Sequence, residues 1–564
     1  MIPVATLAAP RALTADELRA RYEVLEASLP APDAAVDAWE AWFWSWNDLR
    51  LGLAGETSRR YFRDCQDTRD GLARDAWREM REQLAPVAEQ ADGALRQAFL
   101  GAACREALAA RLGEQLFARL ELDAAAFAPE NVALQVEEGD LVCAYDHLLG
   151  GAQVSDGADT LTLVQATARL THAEPARRRG AWLAMAAWFE GHAPEFHRIL
   201  GELVAVRHRQ ARQLGEANFV PLAYRRMGRT EYGPGEVARF REAIRRHVVP
   251  LTEALRARQA RGLGLAGPLV PGADMMYFPG GTLGTEAAPV LEQTARATAL
   301  FDRLDARVAA HWQRMLAEGL VDLPNRPGKR PGAFAMSIDD EGRAAIFCNS
   351  TGADSDVSTL MHEMGHAVQA WESMWIRPLE LRTPTMDAAE VHSFGMEYLA
   401  LREMEAFFSA AEAAQFARQR LVSTLTRLPY MAAVDAFQHA LYERPELTPR
   451  EREAVWHELW DTFMPGLDLS EAPMHRQYRW MRQAHIFASP FYYIDYALAE
   501  TAALQLWQRA RTDHAGALEA YMAMCAVGGT VSLLGMLARG GLRSPFEPEV
   551  LPPIIAEVGA VLGL

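Results

Sequence analysis

The chain of 564 residues is half apolar and carries a formal charge of −17 with its 15 histidines neutral. That length allows two or more lobes around a large core, and the acidic balance argues against nucleic acid and anionic membranes as partners. Five scattered cysteines without C-x-x-C spacing read as reduced, mostly buried thiols, and so point to the cytoplasm.

Ala, Leu, Arg and Glu dominate, a usage that favours helices throughout. The segment Ile2 to Pro10 lacks the basic start and the length of an export signal. Instead Thr14-Ala-Asp-Glu17 reads as a capping box opening a helix. From residue 16 to about 200 the pattern predicts helix after helix, with breaks at Pro30-Ala-Pro32, Ala85-Pro86, Ala128-Pro129, Gly150-Gly151 and Glu174-Pro175. Trp39, Trp42, Phe43 and Trp46 fall at i, i+3, i+4 and i+7, an aromatic stripe of the kind that packs into a core. Arg177-Arg178-Arg179 is a charged helix start, not a nucleic-acid patch. Helices continue through 235–261, and a Gly/Pro-rich connector over 262–285 follows. Within it Gly262-Leu-Gly264-Leu-Ala-Gly267 matches G-x-G-x-x-G, but it follows a helix rather than a strand, and Pro268 and Pro271 stop a helix from opening after it. Two short strands are expected at 332–338 and 344–349, with helices beyond them down to the Gly528-Gly529 and Gly540-Gly541 loops. No stretch of about 18 apolar residues predicts a membrane span. The expected division is an N-terminal helical lobe, 1–200, and a catalytic region, 201–564.

The most informative residues are His362-Glu363-Met364-Gly365-His366. On a helix, residues four apart share a face, so two imidazoles there can grip one metal ion while the adjacent Glu reaches water on it. A chance H-E-x-x-H is expected roughly 0.03 times in a chain of this composition. The apolar residues Val357, Leu360, Met361, Met364, Val368 and Trp371 recur at helical spacing, which predicts a packed helix over 356–371 with a narrow polar strip. A polar strip inside packing has to be satisfied, and a zinc ion does so.

A catalytic zinc takes a third protein ligand and leaves one position open. Gln369 and Glu372 occupy the positions where a metzincin would carry Gly and His, so the gluzincin arrangement remains: a Glu on the next helix, expected over 386–404. Glu390 lies 24 residues beyond His366, across Arg377-Pro378 and Thr383-Pro384-Thr385, which are turn-forming. Rivals for the role are Glu372, Glu380, His392 and Glu397. Glu397 shares the face of Glu390 and is a candidate to support the ligands, and Asp387, one turn before Glu390, is a candidate to hold a free imidazole N–H.

At these residues the chain resembles the thimet oligopeptidase/oligoendopeptidase F metallopeptidases. His-Glu-x-Gly-His followed by Glu390-Val-His-Ser-Phe-Gly-Met-Glu397 is similar to the family's two motifs, and Gly332-Ala333-Phe334-Ala, Ala344-Ala-Ile-Phe-Cys348-Asn349 and Asp356-Val-Ser-Thr-Leu resemble its run into the zinc helix. His485-Ile-Phe-Ala-Ser-Pro-Phe-Tyr492-Tyr493-Ile-Asp-Tyr496 resembles its His/Tyr loop, expected over 485–496. Ser489-Pro490-Phe491 replaces the glycine-rich loop of the thimet branch, which favours the oligoendopeptidase F, Pz-peptidase-like branch and leaves the tyrosine alignment open by one residue. The likeness covers residues 200–510 in pieces and fades in the N-terminal third.

The resemblance implies a mostly α, two-lobed helical zincin with a small β-sheet beside the zinc helix and a deep substrate channel. It implies one Zn2+ per chain on His362, His366 and Glu390, with Glu363 as general base. His485 and a hydroxyl from Tyr493 or Tyr496, with Tyr492 the alternate, would stabilise the oxyanion. Ala333, Phe334, Cys348, Asn349 and Tyr492 are candidates to contact substrate, because an edge strand beside the zinc helix offers main-chain groups to an extended peptide. The expected function is cytoplasmic endopeptidase action on oligopeptides, with no nucleic-acid or membrane partner, as a monomer or homodimer. Two rivals stand beside it. A Taq-type zinc carboxypeptidase is also helical, but its His-Glu-Ser-Gln stretch is missing here. A peptide-binding protein with a structural zinc would require a fourth protein ligand, and only Cys348 among the cysteines lies near His362 in sequence.

Overall fold

A computed structural model describes residues 5, 7, 13–172, 174–274 and 290–564, so most of Ile2 to Pro10 and the second half of the expected 262–285 connector lie outside the described residues. The chain forms two compact units, each assembled from separated stretches. One comprises Met1–Phe127, Gly284–Ala414 and Ala502–Arg543; the other comprises Ala128–Leu283, Gln415–Thr501 and Ser544–Leu564. The division expected at residue 200 falls inside the 39-residue helix Pro175–Gln213, where nothing in the composition changes.

In the first unit Thr14 and Glu17 exchange the two capping-box bonds at the start of the helix Ala15–Ala27. The aromatic stripe lies on α1 (Val36–Gln66), and Trp39, Trp42, Phe43 and Trp46 are all buried, packed around the Phe99 ring. The helical period therefore reported a core face.

Five strands are described: β1 (Val154–Asp156), β2 (Asp159–Leu161), β3 (Val321–Pro324), β4 (Phe334–Ile338) and β5 (Arg343–Ser350). The last three form a sheet in the first unit in the order β3-β5-β4. β5 runs parallel to β3 and antiparallel to β4, with Phe334 opposite Phe347 and Ile338 opposite Arg343. β4 and β5 match the expected pair, whereas β3 is too short and irregular to show an alternation of its own. Because β5 is central, β4 is left as an edge. Arg59 of α1 anchors the β4–β5 turn, donating Nη1 to Asp340 Oδ1 at 2.8 Å and to Glu341 Oε1 at 2.9 Å. Gly55 makes room for this, since a Cβ there would fall on the Asp340 carboxylate.

β5 leads into α2 (Asp354–Ser373), whose start is secured by Asp356 Oδ2 accepting from the backbone N–H of Thr351, Gly352 and Ala353 at 2.7, 2.7 and 3.0 Å. α3 (Met386–Ala400) and α4 (His514–Ala526) complete the support of the site. The expected helix 386–404 changes at Leu401 to a tighter 3-10 turn.

In the second unit β1 and β2 form a hairpin, interrupting the run of helices expected up to 200. Asp156 pairs with Asp159, so the turn is Gly157-Ala158, and Gly157 at φ 66° takes the left-handed conformation that such a tight turn requires. The helices expected through 235–261 are Pro234–His247 and Val249–Gly262, parted just before Pro250, which cannot donate into a continuing helical ladder. The G-x-G-x-x-G stretch closes the second of these, with Gly264 at φ 72°. Among the described residues no helix is long and apolar enough to cross a membrane.

Candidate metal centre

α2 and α3 cross closely, and that crossing builds the site. His362 and His366 stand one turn apart on α2. Glu390 on α3 places Oε2 3.3 Å from His362 Nε2 and 3.5 Å from His366 Nε2. One donor atom from each residue lies within 4.8 Å of the other two. Ligands at about 2.0–2.1 Å from a tetrahedral zinc stand about 3.3–3.4 Å from one another, so two nitrogens and one carboxylate oxygen at these separations fit that ion.

The close approach depends on a residue with no side chain. A Cβ on Gly365 would stand 2.7 Å from Ser393 Cα and closer still to the His392 carbonyl oxygen. Tyr521 of α4 braces the same crossing: its hydroxyl donates to the His392 carbonyl at 3.1 Å and the Gly365 carbonyl at 3.3 Å. Gly395 lets the Tyr521 ring settle against α3, since a Cβ there would meet two ring carbons at 3.0 Å.

Electrostatically the site is arranged for a cation. His362 lies between two carboxylates, with Nδ1 2.8 Å from Glu397 Oε1 and Nε2 facing Glu390. Burial alone would lower its pKa, but the hydrogen bonds to Glu390 and Glu397 outweigh burial and push it up to about 10. Glu390 is buried too, yet the two imidazoles hold its carboxyl well below the ordinary value. Glu363, 5% exposed, is pushed the other way: burial raises its pKa, and Glu390 adds to that rise while both histidines and the Ala335 backbone N–H oppose it. The Ala335 backbone N–H acts on the Glu363 carboxylate, so β4 lies beside it.

Of the rivals of Glu390, Glu397 meets His362 through Nδ1, and the other three are engaged elsewhere. Glu372 Oε1 meets His311 Nε2 at 2.7 Å, and Glu380 pairs with Arg50. His392 is fully buried with Nδ1 3.5 Å from Cys525 Sγ, and burial lowers its pKa to about 3. Asp387 is buried on α3 one turn before Glu390. Of the candidate substrate contacts, Ala333 precedes β4 and Phe334 opens it, its ring stacked on Phe347 at 4.8 Å. Cys348 is buried in β5, and the Asn349 amide donates to the carbonyls of Arg330 and Gly332 at 2.7 and 2.8 Å. The side chains of these two residues therefore serve the sheet, and β4 is the edge strand that lies beside Glu363.

His485 and the tyrosines belong to the second unit, where they form a cluster. The His485 ring lies 5.9, 4.8 and 5.6 Å from the rings of Tyr492, Tyr493 and Tyr496. Gln483 Nε2 donates to His485 Nδ1 at 2.7 Å, which leaves the ring proton on Nε2 as a donor. Phe491, just before the tyrosines, holds the left-handed backbone conformation at φ 69°. Its N–H donates to Gln438 Oε1 at 2.8 Å, and its carbonyl accepts from Arg229 Nη2 at 2.6 Å. Arg229 also donates to Asp495 Oδ1 at 2.6 Å, a pair fully withdrawn from solvent. Tyr521, Gln438 and Arg229 carry no sequence signal, because nothing local marks a residue whose partner is far along the chain; Gln483 lies two residues before His485, just outside the His/Tyr loop, and Asp495 alone sits within a motif.

Residues 300–552 match Peptidase family M3, and residues 11–127 match the Peptidase M3 N-terminal domain. A solved structure described as an oligoendopeptidase F is 31% identical, with a TM-score of 0.90 over 98% of this chain and 97% of that one. The chain belongs to peptidase family M3. A second solved structure, Pz peptidase A with inhibitor 2, is 29% identical with a TM-score of 0.91 over 99% of this M3 peptidase and 98% of that chain. A Bacillus anthracis structure described as an oligoendopeptidase F is 30% identical with a TM-score of 0.87, covering 99% and 98%. An oligoendopeptidase F homologue from Borreliella burgdorferi is 25% identical over 224 residues, which span 38% of this chain and 37% of that relative's length. The M3 peptidase is thus a metallopeptidase with peptide substrates, on the mostly helical fold with a small sheet that the sequence implied.

Proposed function

We propose that this M3 peptidase is a zinc-dependent endopeptidase that hydrolyses internal bonds of short, unstructured oligopeptides in the cytoplasm. The observation that carries the reading is the convergence of His362 Nε2, His366 Nε2 and Glu390 Oε2 beside a buried Glu363. His362, His366 and Glu390 would hold the zinc, with Glu397 fixing the His362 tautomer through Nδ1 and Asp387 supporting the ligands from α3. When bound, zinc supplies Lewis acidity for the scissile carbonyl and acidifies water.

Glu363 takes the proton from the attacking water and hands it to the leaving amine. Burial, which raises its pKa, makes the carboxylate a stronger base for that task. By resemblance, His485 Nε2–H and a hydroxyl of Tyr493 or Tyr496 donate to the oxyanion. The edge strand β4, from Phe334 onward, is suited to main-chain pairing with an extended peptide, which would give broad sequence tolerance.

Glu363→Gln tests the chemistry. Cleavage is expected to fall by about 10²–10⁴-fold with metal content unchanged. Unaltered cleavage would remove Glu363 from the mechanism. End-group analysis on a mid-length peptide tests the mode: internal cuts support endopeptidase action, whereas stepwise loss from the C-terminus contradicts it.

A further inference from the structure

The second unit contains a cavity of about 340 Å³ that no catalytic role accounts for. Tyr430, Trp460 and Met464 give it apolar surface, and Arg479, Arg482 and Gln483 give it hydrogen-bond donors. Among the described residues neither arginine forms an ion pair with a carboxylate. Arg479 has its guanidinium 4.7 Å from the centre of the Tyr430 ring; burial opposes its charge, and the side chains that favour it are the neutral Tyr430, Tyr478 and Tyr493. Arg482 feels burial first and then its neighbour Arg479, both of which disfavour its charge. His475, also on the wall, is held neutral: Trp182 Nε1–H donates to its Nδ1 at 2.9 Å, and burial lowers its pKa far below the ordinary value.

Two half-buried like charges three residues apart, without a carboxylate counter-ion, are costly unless something anionic joins them. We propose that this cavity binds an organic carboxylate, the free C-terminal carboxylate of a short peptide, with Arg479 and Arg482 as its donors. Guanidinium groups match a carboxylate's planar geometry, and the surrounding aromatic surface suits a terminal side chain better than an inorganic anion. The volume lies at the small end of ligand pockets, enough for a terminal residue or two. Gln483 lines the cavity and also donates to His485 Nδ1, so an occupant touches the residue that sets the His485 tautomer. The identity of the anion as a peptide end rests on the proposed peptidase function; the cavity itself depends on neither the metal nor Glu363.

The test is binding to the full-length Glu363→Gln protein, measured by calorimetry with one peptide as its free acid and as its C-terminal amide, and with inorganic phosphate as a competitor. The acid is expected to bind about tenfold tighter than the amide, one charge-assisted contact's worth. That preference should survive removal of metal by a chelator, vanish in Arg479→Gln and Arg482→Gln, and persist in part in Arg482→Lys. Equal binding of acid and amide overturns the proposal, as does a preference that disappears with the metal or persists in both glutamine variants. Phosphate that binds as tightly as the free-acid peptide overturns the peptide end as occupant. Should the glutamine variants fail to fold, the acid–amide comparison on metal-free protein decides alone. If the unsubstituted chain cleaves nothing yet keeps the preference, the peptidase reading fails and the cavity's role stands.

Discussion

Gly365→Ala sets two known effects against each other inside the candidate metal centre. In an exposed helix interior the change would stabilise, because alanine loses less backbone entropy, by about 0.5–1 kcal/mol. Here the added carbon would stand 2.7 Å from Ser393 Cα, against ordinary contact at 3.4–4 Å, and it would press harder on the His392 carbonyl. Both obstacles are backbone, so neither can swing aside, and α2 and α3 must part by about 0.7 Å or more. Overpacking of this kind costs about 1–3 kcal/mol, so the net expectation is a loss of about 1–2 kcal/mol. Ligand distances tolerate only about 0.2 Å, so Glu390 moving away with α3 should weaken metal binding by about tenfold or more. Competition against a chromophoric chelator reads the affinity, and thermal unfolding of the metal-free proteins reads the stability. A Gly365→Ala protein that is more stable than its parent and binds metal as tightly would refute the packing argument.

Further outcomes follow from the same geometry. Glu397→Ala removes the partner of His362 Nδ1 and should lower metal affinity about 10–100-fold while leaving the fold intact, read by chelator competition and circular dichroism. Tyr521→Phe removes a hydroxyl that serves two carbonyls and should cost about 1–2 kcal/mol, seen as a lower melting temperature. Chelation should abolish peptide cleavage, and added zinc should restore it; activity indifferent to chelators would exclude the metal from the reaction. The buried His197, His439 and His475 and the half-buried His457 all have lowered pKa values, with burial the first cause in each. Unfolding therefore takes up protons below the ordinary histidine value of 6.5, so stability is full above it and declines as pH falls from 6.5 towards the depressed folded values, by at most about 1.4 kcal/mol per pH unit per group. Calorimetric melting of the metal-free protein between pH 7 and 5.5 checks this, and His475→Gln should show a shallower decline; an identical slope would remove His475 from the account.

How much of this was legible beforehand depended on how local each signal was. The Trp39–Trp46 stripe, the Thr14–Glu17 cap and the His362–His366 pair are each written within eight residues, and each takes in the structure the place its spacing implied. The β1–β2 hairpin is not legible in the sequence despite Gly157 in its turn, because a pair of three-residue strands leaves no alternation to read. The boundaries of the two units were beyond reach, since each unit collects stretches hundreds of residues apart.

By itself the sequence determined that α2 carries two imidazoles on one face with a carboxylate adjacent to the first, since a 3.6-residue period brings residues four apart together. Tertiary structure decided which acid completes the set. Glu372, Glu380 and Glu390 are chemically equivalent along the chain, and only the backbone approach allowed by Gly365 and braced by Tyr521 brings the third to the imidazoles while Arg50 and His311 occupy the others. Spacing along a helix fixes direction within one element, whereas convergence between elements is fixed by packing, which is non-local.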